Sequence, residues 1–255
     1  MASTLKLLTF NIAHGRGLSF YQGFHSPVGI RRNLDKIGAL FRDMSPDVIA
    51  LQEVDEDSHW NKNINLLEHL RRVGDYDHSC LGRTNLREGN KPLCYGNATL
   101  SRFPFHTWHS RNFVSTRRFE KGYLYTLIDT PQGVLPLINL HLDYAARIHR
   151  LQQAKDLLAF MRGEKDDPAP PSLPILCGDF NTGSRRTHDA IGYLFQHGLT
   201  AMGYRLFPEN GKTFPAHLPW RGIDFILVPP DYRVIRCEVP AVRLSDHRPV
   251  LIELG

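Results

Sequence analysis

Six short apolar runs in this chain end in, contain or precede a polar residue that could do chemistry. Apolar runs of this length, bounded by turn residues, are typical of buried strands. Packing accounts for the apolar residues of such strands, but it gives no reason for an acid, an amide or an imidazole at their ends. These polar residues are Asn11, Glu53, His141, Asp179, Asp224 and the adjacent pair Asp246 and His247.

The polar residues would form one site if the strand ends lie along the same rim of a sheet sandwich. Carboxylate and amide oxygens are the ligands that Mg²⁺ and Mn²⁺ prefer. Two histidines among such ligands suit a phosphate ester that is attacked by water. The residue types therefore indicate metal-assisted cleavage of a phosphoester.

Strand and helix periodicity alternate along the chain. Residues Leu5–Asn11 predict a strand, a stripe of apolar residues predicts a helix over 33–44, and 47–54 predicts the next strand. Two such units predict an α/β sandwich with two sheets packed face to face and helices outside. The second unit has a hairpin of strands 123–129 and 134–140, a helix over 148–161 and a strand over 173–177.

Length and composition place few limits on function. At 255 residues, one catalytic domain over 1–255 with a single large core is expected. No apolar run approaches the roughly 18 residues of a membrane span, and because a strand is predicted from Leu5, no signal sequence is expected. The four cysteines form no Cys-x-x-Cys pair, and Cys177 is expected to be a core residue. We expect a cytoplasmic monomer.

The charge balance favours an anionic substrate. Lys and Arg outnumber Asp and Glu by 31 to 26, although such an excess is also common on solvated surfaces. Several basic clusters fall in loops that follow candidate active strands. Those expected to contact substrate phosphates are Arg117 and Arg118, which lie near Lys121, and Arg185 and Arg186.

A long loop over 13–30 is rich in glycine, histidine and aromatic residues, and loops of this length are often functional. His14 and His25 are the two histidines outside the strand ends that could join the site. Phe20, Tyr21 and Phe24 could touch a membrane. A core-packed or lid role for these three aromatic residues is the favoured interpretation.

Seven motifs surround the polar residues in register with the apolar runs. They are Leu8-Thr9-Phe10-Asn11, Leu51-Gln52-Glu53-Val54, Gly96-Asn97-Ala98, Asn139-Leu140-His141, Gly178-Asp179-Phe180-Asn181, Ile223-Asp224-Phe225 and Ser245-Asp246-His247. In this order they resemble the endonuclease/exonuclease/phosphatase superfamily of deoxyribonuclease I, over nearly the whole chain. The resemblance implies a four-layered α/β sandwich with two mainly antiparallel sheets, and metal-dependent cleavage of phosphate esters.

The metal site is expected at three of these residues. Glu53 offers an anionic oxygen for Mg²⁺, with Mn²⁺ as an alternative, and Asn11 supplies a neutral oxygen or anchors a metal-bound water. Asp246 is expected to contribute to the same site. Taken singly, Glu53 could be a charged strand end and Asn11 a turn former.

The catalytic residues are expected to act in two groups. Asp179 orients or deprotonates the attacking water, and Asn181, two positions along an extended stretch, faces the same way and binds phosphate. An Asx turn is the alternative for this segment. The resemblance makes Asp224 and His247 a pair in which the acid fixes the ring tautomer and favours imidazolium.

His141 and Asn97 complete the predicted site. By resemblance, His141 donates to the phosphate or protonates the leaving oxygen, and Asp143 either orients it or is a surface acid at a helix start. Asn97 resembles the family's amide between metal and phosphate. A nucleic acid, DNA or RNA, is the favoured substrate, with sphingomyelinase-like cleavage of a phospholipid or a small phosphodiester as the alternative. A non-catalytic binding domain is disfavoured because the acids and His247 are all present.

Overall fold

The computed structural model describes residues 4–113, 120–164, 169–183 and 187–255. Helices and strands alternate through these residues, with short turns of 3-10 helix between some of them. In chain order the elements are β1 (Leu5–Asn11), α1 (Pro27–Met44), β2 (Val48–Asp55), α2 (Leu66–Gly74), β3 (His78–Arg87), β4 (Leu93–Ser101), β5 (Phe105–Asn112), β6 (Gly122–Thr130), β7 (Gly133–His141), α3 (Arg147–Met161), β8 (Ile175–Asp179), α4 (Ala190–Leu194), β9 (Arg205–Phe207), β10 (Asp224–Val228), β11 (Val234–Glu238) and β12 (Val250–Leu254).

The strands form two sheets of six strands each. The first has the order β11-β12-β1-β2-β4-β3 and the second β5-β6-β7-β8-β10-β9. Strands β1 and β2 run parallel, as do β7 and β8, and the other neighbours are antiparallel. The predicted pair of mainly antiparallel sheets is confirmed.

Three apolar layers separate four layers of structure. One cluster lies between the sheets and joins residues such as Leu7 and Ile252 to Leu137 and Cys177. A second packs α1 and α2 against the first sheet, and a third packs α3 and α4 against the second sheet. This confirms the four-layered sandwich, and it confirms Cys177 as a core residue, since its exposed fraction is 0%.

Helix α1 begins six residues before its predicted start. The Ser26 hydroxyl accepts a hydrogen bond from the Gly29 N–H at 3.1 Å, and Pro27 occupies the first helical position. Both features are typical helix-start signals, and their position shortens the connecting loop to 12–26. The helix ends as predicted, at Ser45, whose left-handed backbone conformation stops it.

The loop after β1 exposes aromatic side chains. Phe20 is 100% exposed and Phe24 is 84% exposed, so the interpretation that they pack into the core is wrong. Tyr21 lies 5.0 Å from Phe24, measured between ring centroids. Across the four described ranges, no helix combines the length and apolar character needed to span a bilayer.

Candidate active site

The polar strand ends meet at one rim of the sandwich. Asn11 ends β1 and pairs with Gln52 of β2. Asp179 ends β8 and pairs on one side with His141 of β7 and on the other with Asp224 of β10. The predicted convergence of these groups is therefore present in the fold.

The backbone at position 178, just before Asp179, requires a glycine. Its φ angle is +137°, and a Cβ atom there would lie 1.9 Å from the Leu140 carbonyl oxygen. A side chain at this position would push β8 away from β7. The glycine therefore permits the strand pairing that sets Asp179 next to His141.

Acids and histidines alternate in a row along this rim. Glu53 Oε1 lies 4.0 Å from His141 Nε2, which lies 3.4 Å from Asp179 Oδ2. That oxygen lies 3.7 Å from His247 Nε2, which in turn lies 4.0 Å from Asp246 Oδ1. We call these five residues the catalytic row.

Asp224 lies behind the catalytic row and holds His247. The His247 Nδ1 atom is 3.0 Å from both carboxylate oxygens of Asp224, and both residues are buried. Burial by itself lowers the pKa of His247, but the charges of Asp224, Asp179 and Asp246 outweigh it and raise that pKa to about 10. The ring is therefore an imidazolium at neutral pH.

Asp179 is the central acid of the row and is 1% exposed. Its Oδ2 accepts a hydrogen bond from Asn11 Nδ2 at 3.1 Å, and its Oδ1 accepts one from the Asn181 backbone N–H at 2.9 Å. Burial raises its pKa, and the charge of Asp224 adds to the increase, while His247 opposes it. An acid with a raised pKa can accept a proton near neutral pH.

Asn181 does not lie on an extended stretch, so the predicted geometry for it is wrong. Its φ angle is +52°, and its N–H closes an Asx turn on Asp179. The side-chain Nδ2 donates to the Leu142 carbonyl at 2.9 Å. The Asx turn forms in place of the extended stretch because Asn tolerates the left-handed conformation and the Asp179 carboxylate is a close acceptor. A phosphate-binding role for Asn181 stays a prediction.

Glu53 projects into the site from a bulge in β2. The register with β4 shifts between Leu51 and Val54, and the φ angle of Glu53 is +57°. Burial would raise the pKa of Glu53, but the positive charges of His14 and Lys121, and to a smaller extent that of His247, hold it well below its usual range. Its carboxylate is ionised at neutral pH.

His14 is the residue of the first loop that joins the site. Its Nε2 is 3.4 Å from Glu53 Oε2, and its Nδ1 is 2.7 Å from Asp55 Oδ2. Asp55 is fully buried and also accepts hydrogen bonds from Trp60 Nε1 at 2.8 Å and Asn61 Nδ2 at 2.6 Å. Asp55 and His14 thus form a second acid and histidine pair, which the sequence reasoning missed at Asp55.

Lys121 was expected only as part of a basic cluster, but it lies inside the site. Its Nζ is 2.9 Å from His141 Nε2 and 4.0 Å from Glu53 Oε1. Burial and the Lys121 charge together lower the pKa of His141 well below its usual value. The lowered pKa favours the neutral ring, and the predicted role of His141 at the phosphate or the leaving oxygen stays a prediction.

Asp246 lies at the other end of the row. It forms an ion pair with Arg16 and is 4.0 Å from the His247 ring. The Ser245 hydroxyl donates to the Asn11 backbone carbonyl at 2.8 Å, which ties this segment to the end of β1. The order Ser-Asp-His thus places an anchor, an acid and an imidazole on one short turn.

Asn97 joins the two sheets beneath the site. Its Nδ2 donates to the Gly122 carbonyl at 3.0 Å and to the Asn139 carbonyl at 3.2 Å. Asn139 in turn accepts from Gln52 Nε2 at 2.7 Å. The amide protons of Asn97 are engaged with the backbone, so contact between Asn97 and substrate stays a prediction.

The carboxylates at the two ends of the row offer the oxygen ligands that a hard divalent cation prefers. The side chains of Glu53 and Asp246 are 21% and 23% exposed, so their carboxylate oxygens are accessible. Asn11 Oδ1 accepts from the Ala13 N–H at 3.0 Å while its Nδ2 holds Asp179, which favours an anchoring role over direct ligation. Asp179, Asp224 and His247 also cluster within 4.8 Å, but a charged His247 is a poor ligand.

Four predicted substrate contacts cannot be placed. Arg117, Arg118, Arg185 and Arg186 lie outside the described residues, and we call them the loop arginines. His25, the other loop histidine considered from the sequence, is half-buried. Asp143 is 4% exposed and accepts from the Ala145 and Ala146 N–H groups at the start of α3, so it is not a surface acid.

Two packed sheets covered by helices, with acids and histidines at one rim, define the deoxyribonuclease I-like phosphoesterases. Residues 8–247 match the Endonuclease/Exonuclease/phosphatase family, and the chain belongs to that family. Its members are hydrolases that act on phosphoester bonds. The chain is 25% identical over 265 residues to the uncharacterized protein YbhP of Escherichia coli K12, an alignment that covers 98% of this chain and 96% of YbhP.

Solved structures share the fold at low sequence identity. The mannosyl-6-phosphatase of Bacteroides thetaiotaomicron has a TM-score of 0.73 at 16% identity, covering 98% of this chain and 99% of its own. Sphingomyelinase C from Streptomyces griseocarneus has a TM-score of 0.68 at 16% identity, with both chains covered completely. These likenesses are similarities of fold.

Proposed function

We propose that this protein is a metal-dependent phosphodiester hydrolase that uses an activated water. The observation that carries the proposal is the catalytic row, in which Asp179 lies between His141 and His247. Strands of both sheets contribute to this row, which supports one catalytic domain over 1–255.

Asp179 positions and deprotonates the attacking water. Hydrogen bonds from Asn11 and from the Asn181 N–H fix both of its oxygens. Burial raises its pKa towards neutrality, which matches the requirement for a general base.

His247 stabilises the negative charge that develops on the phosphoryl oxygens. Asp224 fixes the ring through Nδ1, so Nε2 carries the proton that faces the row. A fixed imidazolium in a buried site costs no reorganisation when charge develops in the transition state. The neutral His141 ring accepts a hydrogen bond from the Lys121 ammonium group, which supplies the positive charge at this end of the row.

Glu53 and Asp246 would hold the divalent cation, Mg²⁺ or Mn²⁺. When bound, the cation supplies Lewis-acid polarisation of the phosphate. The pairing of Glu53 with His14 and of Asp246 with Arg16 orients both carboxylates.

A nucleic acid is the first substrate class to test. In the sequence, Arg117 and Arg118 come shortly before Lys121, and Arg185 and Arg186 come shortly after Asn181. We expect these loop arginines to contact the phosphates on either side of the scissile one. Exposed Phe20 and Phe24 favour a second candidate, a phospholipid at a membrane surface. Of the solved structures named above, one is a sphingomyelinase, which agrees with this second candidate.

The proposal is tested by hydrolysis of bis(p-nitrophenyl) phosphate with Mg²⁺, with Mn²⁺ and with a chelator. Asp179→Asn should remove most of kcat, whereas Asp231→Asn, an exposed acid beyond the far end of β10, should not. Duplex DNA, single-stranded DNA, RNA and sphingomyelin vesicles then assign the substrate. Equal turnover by the Asp179→Asn variant would contradict the proposed role of the row.

A further inference from the structure

A cavity of about 580 Å³ opens beside the catalytic row on the Glu53 side. Lys121 and Glu53 line it where it meets the row, and Arg87 and Lys91 line it at the hairpin between β3 and β4. Its volume falls within the range of roughly 300 to 1,000 Å³ that is usual for small-molecule sites.

The sheet register gives the backbone spacing between the two ends of this cavity. Gly96 pairs with Val54, the neighbour of Glu53, whereas Leu93 pairs with Arg87. The step from Gly96 to Leu93 is three residues of extended strand, which corresponds to roughly 10 Å. An organic group of one or two rings can span a gap of this size, and a lone phosphate cannot.

Aromatic side chains line the space between the ends. The rings of Trp60 and Tyr95 lie 5.4 Å apart on one wall, and His14 packs edge-on against both. Tyr21 and Tyr144 also line the cavity and are 56% and 66% exposed. Aromatic walls of this kind bind planar rings by stacking.

The basic residues at the two ends differ in their partners. Lys121 lies 4.0 Å from Glu53. Within the described part of the chain, no ion pair joins Arg87 or Lys91 to a carboxylate, and both are exposed. Arg87 Nε donates to the Lys91 carbonyl at 3.0 Å, which fixes the hairpin and leaves both cationic ends available to an anion.

We propose that this cavity binds the organic part of the substrate, and that it takes a nucleoside that carries a second phosphate. Arg87 and Lys91 contact the second phosphate, Trp60 and Tyr95 contact the planar base, and the first phosphate lies at the catalytic row. The inference rests on the proposed phosphodiester hydrolysis, which supplies the first phosphate. Such a group occurs both in small nucleotides and at the end of a nucleic acid chain.

Two esters that differ only in the second phosphate test this inference. One is the p-nitrophenyl ester of thymidine 5′-phosphate, and the other carries an additional 3′-phosphate. For the wild type we expect kcat/KM to be about tenfold higher for the ester with the 3′-phosphate, mainly through KM, as charge-assisted contacts of partly exposed groups allow. The double variant Arg87→Ala, Lys91→Ala should lose this preference.

Arg233→Ala is the matched control, because Arg233 is exposed and lies beyond the far end of β10, opposite the site. It should keep the preference. Equal kcat/KM for the two esters in the wild type, or a preference that survives in the double variant, would overturn the inference. Oligonucleotides with and without a 3′-terminal phosphate then separate a chain end from a free nucleotide.

Binding provides a readout that does not depend on turnover. By calorimetry, thymidine 3′,5′-bisphosphate should bind the wild type about tenfold more tightly than thymidine 5′-monophosphate, and the double variant should bind both equally. If the wild type binds the bisphosphate more tightly but hydrolyses no phosphodiester, the proposed function is contradicted and the cavity assignment is not. If the wild type hydrolyses bis(p-nitrophenyl) phosphate but binds the two nucleotides equally, the cavity assignment is contradicted and the proposed function is not.

Discussion

Replacing Asp179 by Asn should stabilise the metal-free protein at alkaline pH while it removes catalysis. Asp179 is 1% exposed, and burial together with the charge of Asp224 raises its pKa from 3.8 to about 7. The folded state therefore holds this proton more tightly than the unfolded state does. Stability associated with the proton is fully present below pH 3.8 and is lost as the pH rises through about 7.

The expected size of the effect follows from this pH window. Between pH 5 and pH 7 the wild type should lose up to about 3 kcal/mol of unfolding free energy relative to Asp179→Asn, at ~1.4 kcal/mol per pH unit. This value is a ceiling, because the charge of His247, 3.7 Å away, responds to that of Asp179. The Asp179→Asn variant has no carboxylate at this position to ionise, so its unfolding free energy should not fall in this way.

Urea unfolding in the presence of a chelator measures the difference. Wild type, Asp179→Asn and the control Asp231→Asn are compared at pH 5 and pH 8. The advantage of Asp179→Asn over the wild type should grow with pH, while Asp231→Asn should follow the wild type. An advantage that is constant, or that is larger at pH 5, would refute the reasoning that burial disfavours the ionised Asp179.

Three further predictions follow from contacts of the site. Asp224→Asn and His247→Ala should each remove most of kcat. The double variant should lose little more than the worse single variant, because the losses of residues that act as a unit do not add. Additive losses would show that the two residues act separately. Asp55→Asn should lower the unfolding free energy by about 1–3 kcal/mol, because the buried Asp55 carboxylate accepts from Trp60 and Asn61 and is paired with His14. Unchanged urea unfolding would contradict this. Replacing the loop arginines with Ala should weaken the salt dependence of DNA cleavage. We expect the slope of log activity against log salt concentration to fall by about 0.9 for each lost phosphate contact. An unchanged slope would argue against a nucleic acid substrate.

The sequence predicted that the residues of the row lie together because each of them lies at or near the end of a strand. Asp179 and His141 end strands that pair with each other, so the position of one nearly determines that of the other. The same local pattern predicted the bounds of β1 and the hairpin of β6 and β7. Polar residues at the ends of apolar runs are therefore an informative signal for this fold.

The sequence could not predict contacts that arise only from tertiary packing. His14 and Asp55 are 41 positions apart, and nothing near Asp55 in the sequence indicates the buried imidazole beside it. Lys121 stands among other basic residues and is distinguished only by its burial next to His141. The early start of α1 was different, because the Ser26-Pro27 signal was present in the sequence and was outweighed by the apolar stripe that begins later.

The most direct test of a metal-dependent row centred on Asp179 is the rate of bis(p-nitrophenyl) phosphate hydrolysis during a titration with Mg²⁺ after chelation. We expect no turnover in excess chelator, recovery on adding Mg²⁺ to the wild type, and no recovery for Glu53→Gln at the same Mg²⁺ concentration. Undiminished hydrolysis in excess chelator, or full recovery of the Glu53→Gln variant, would contradict the proposed site.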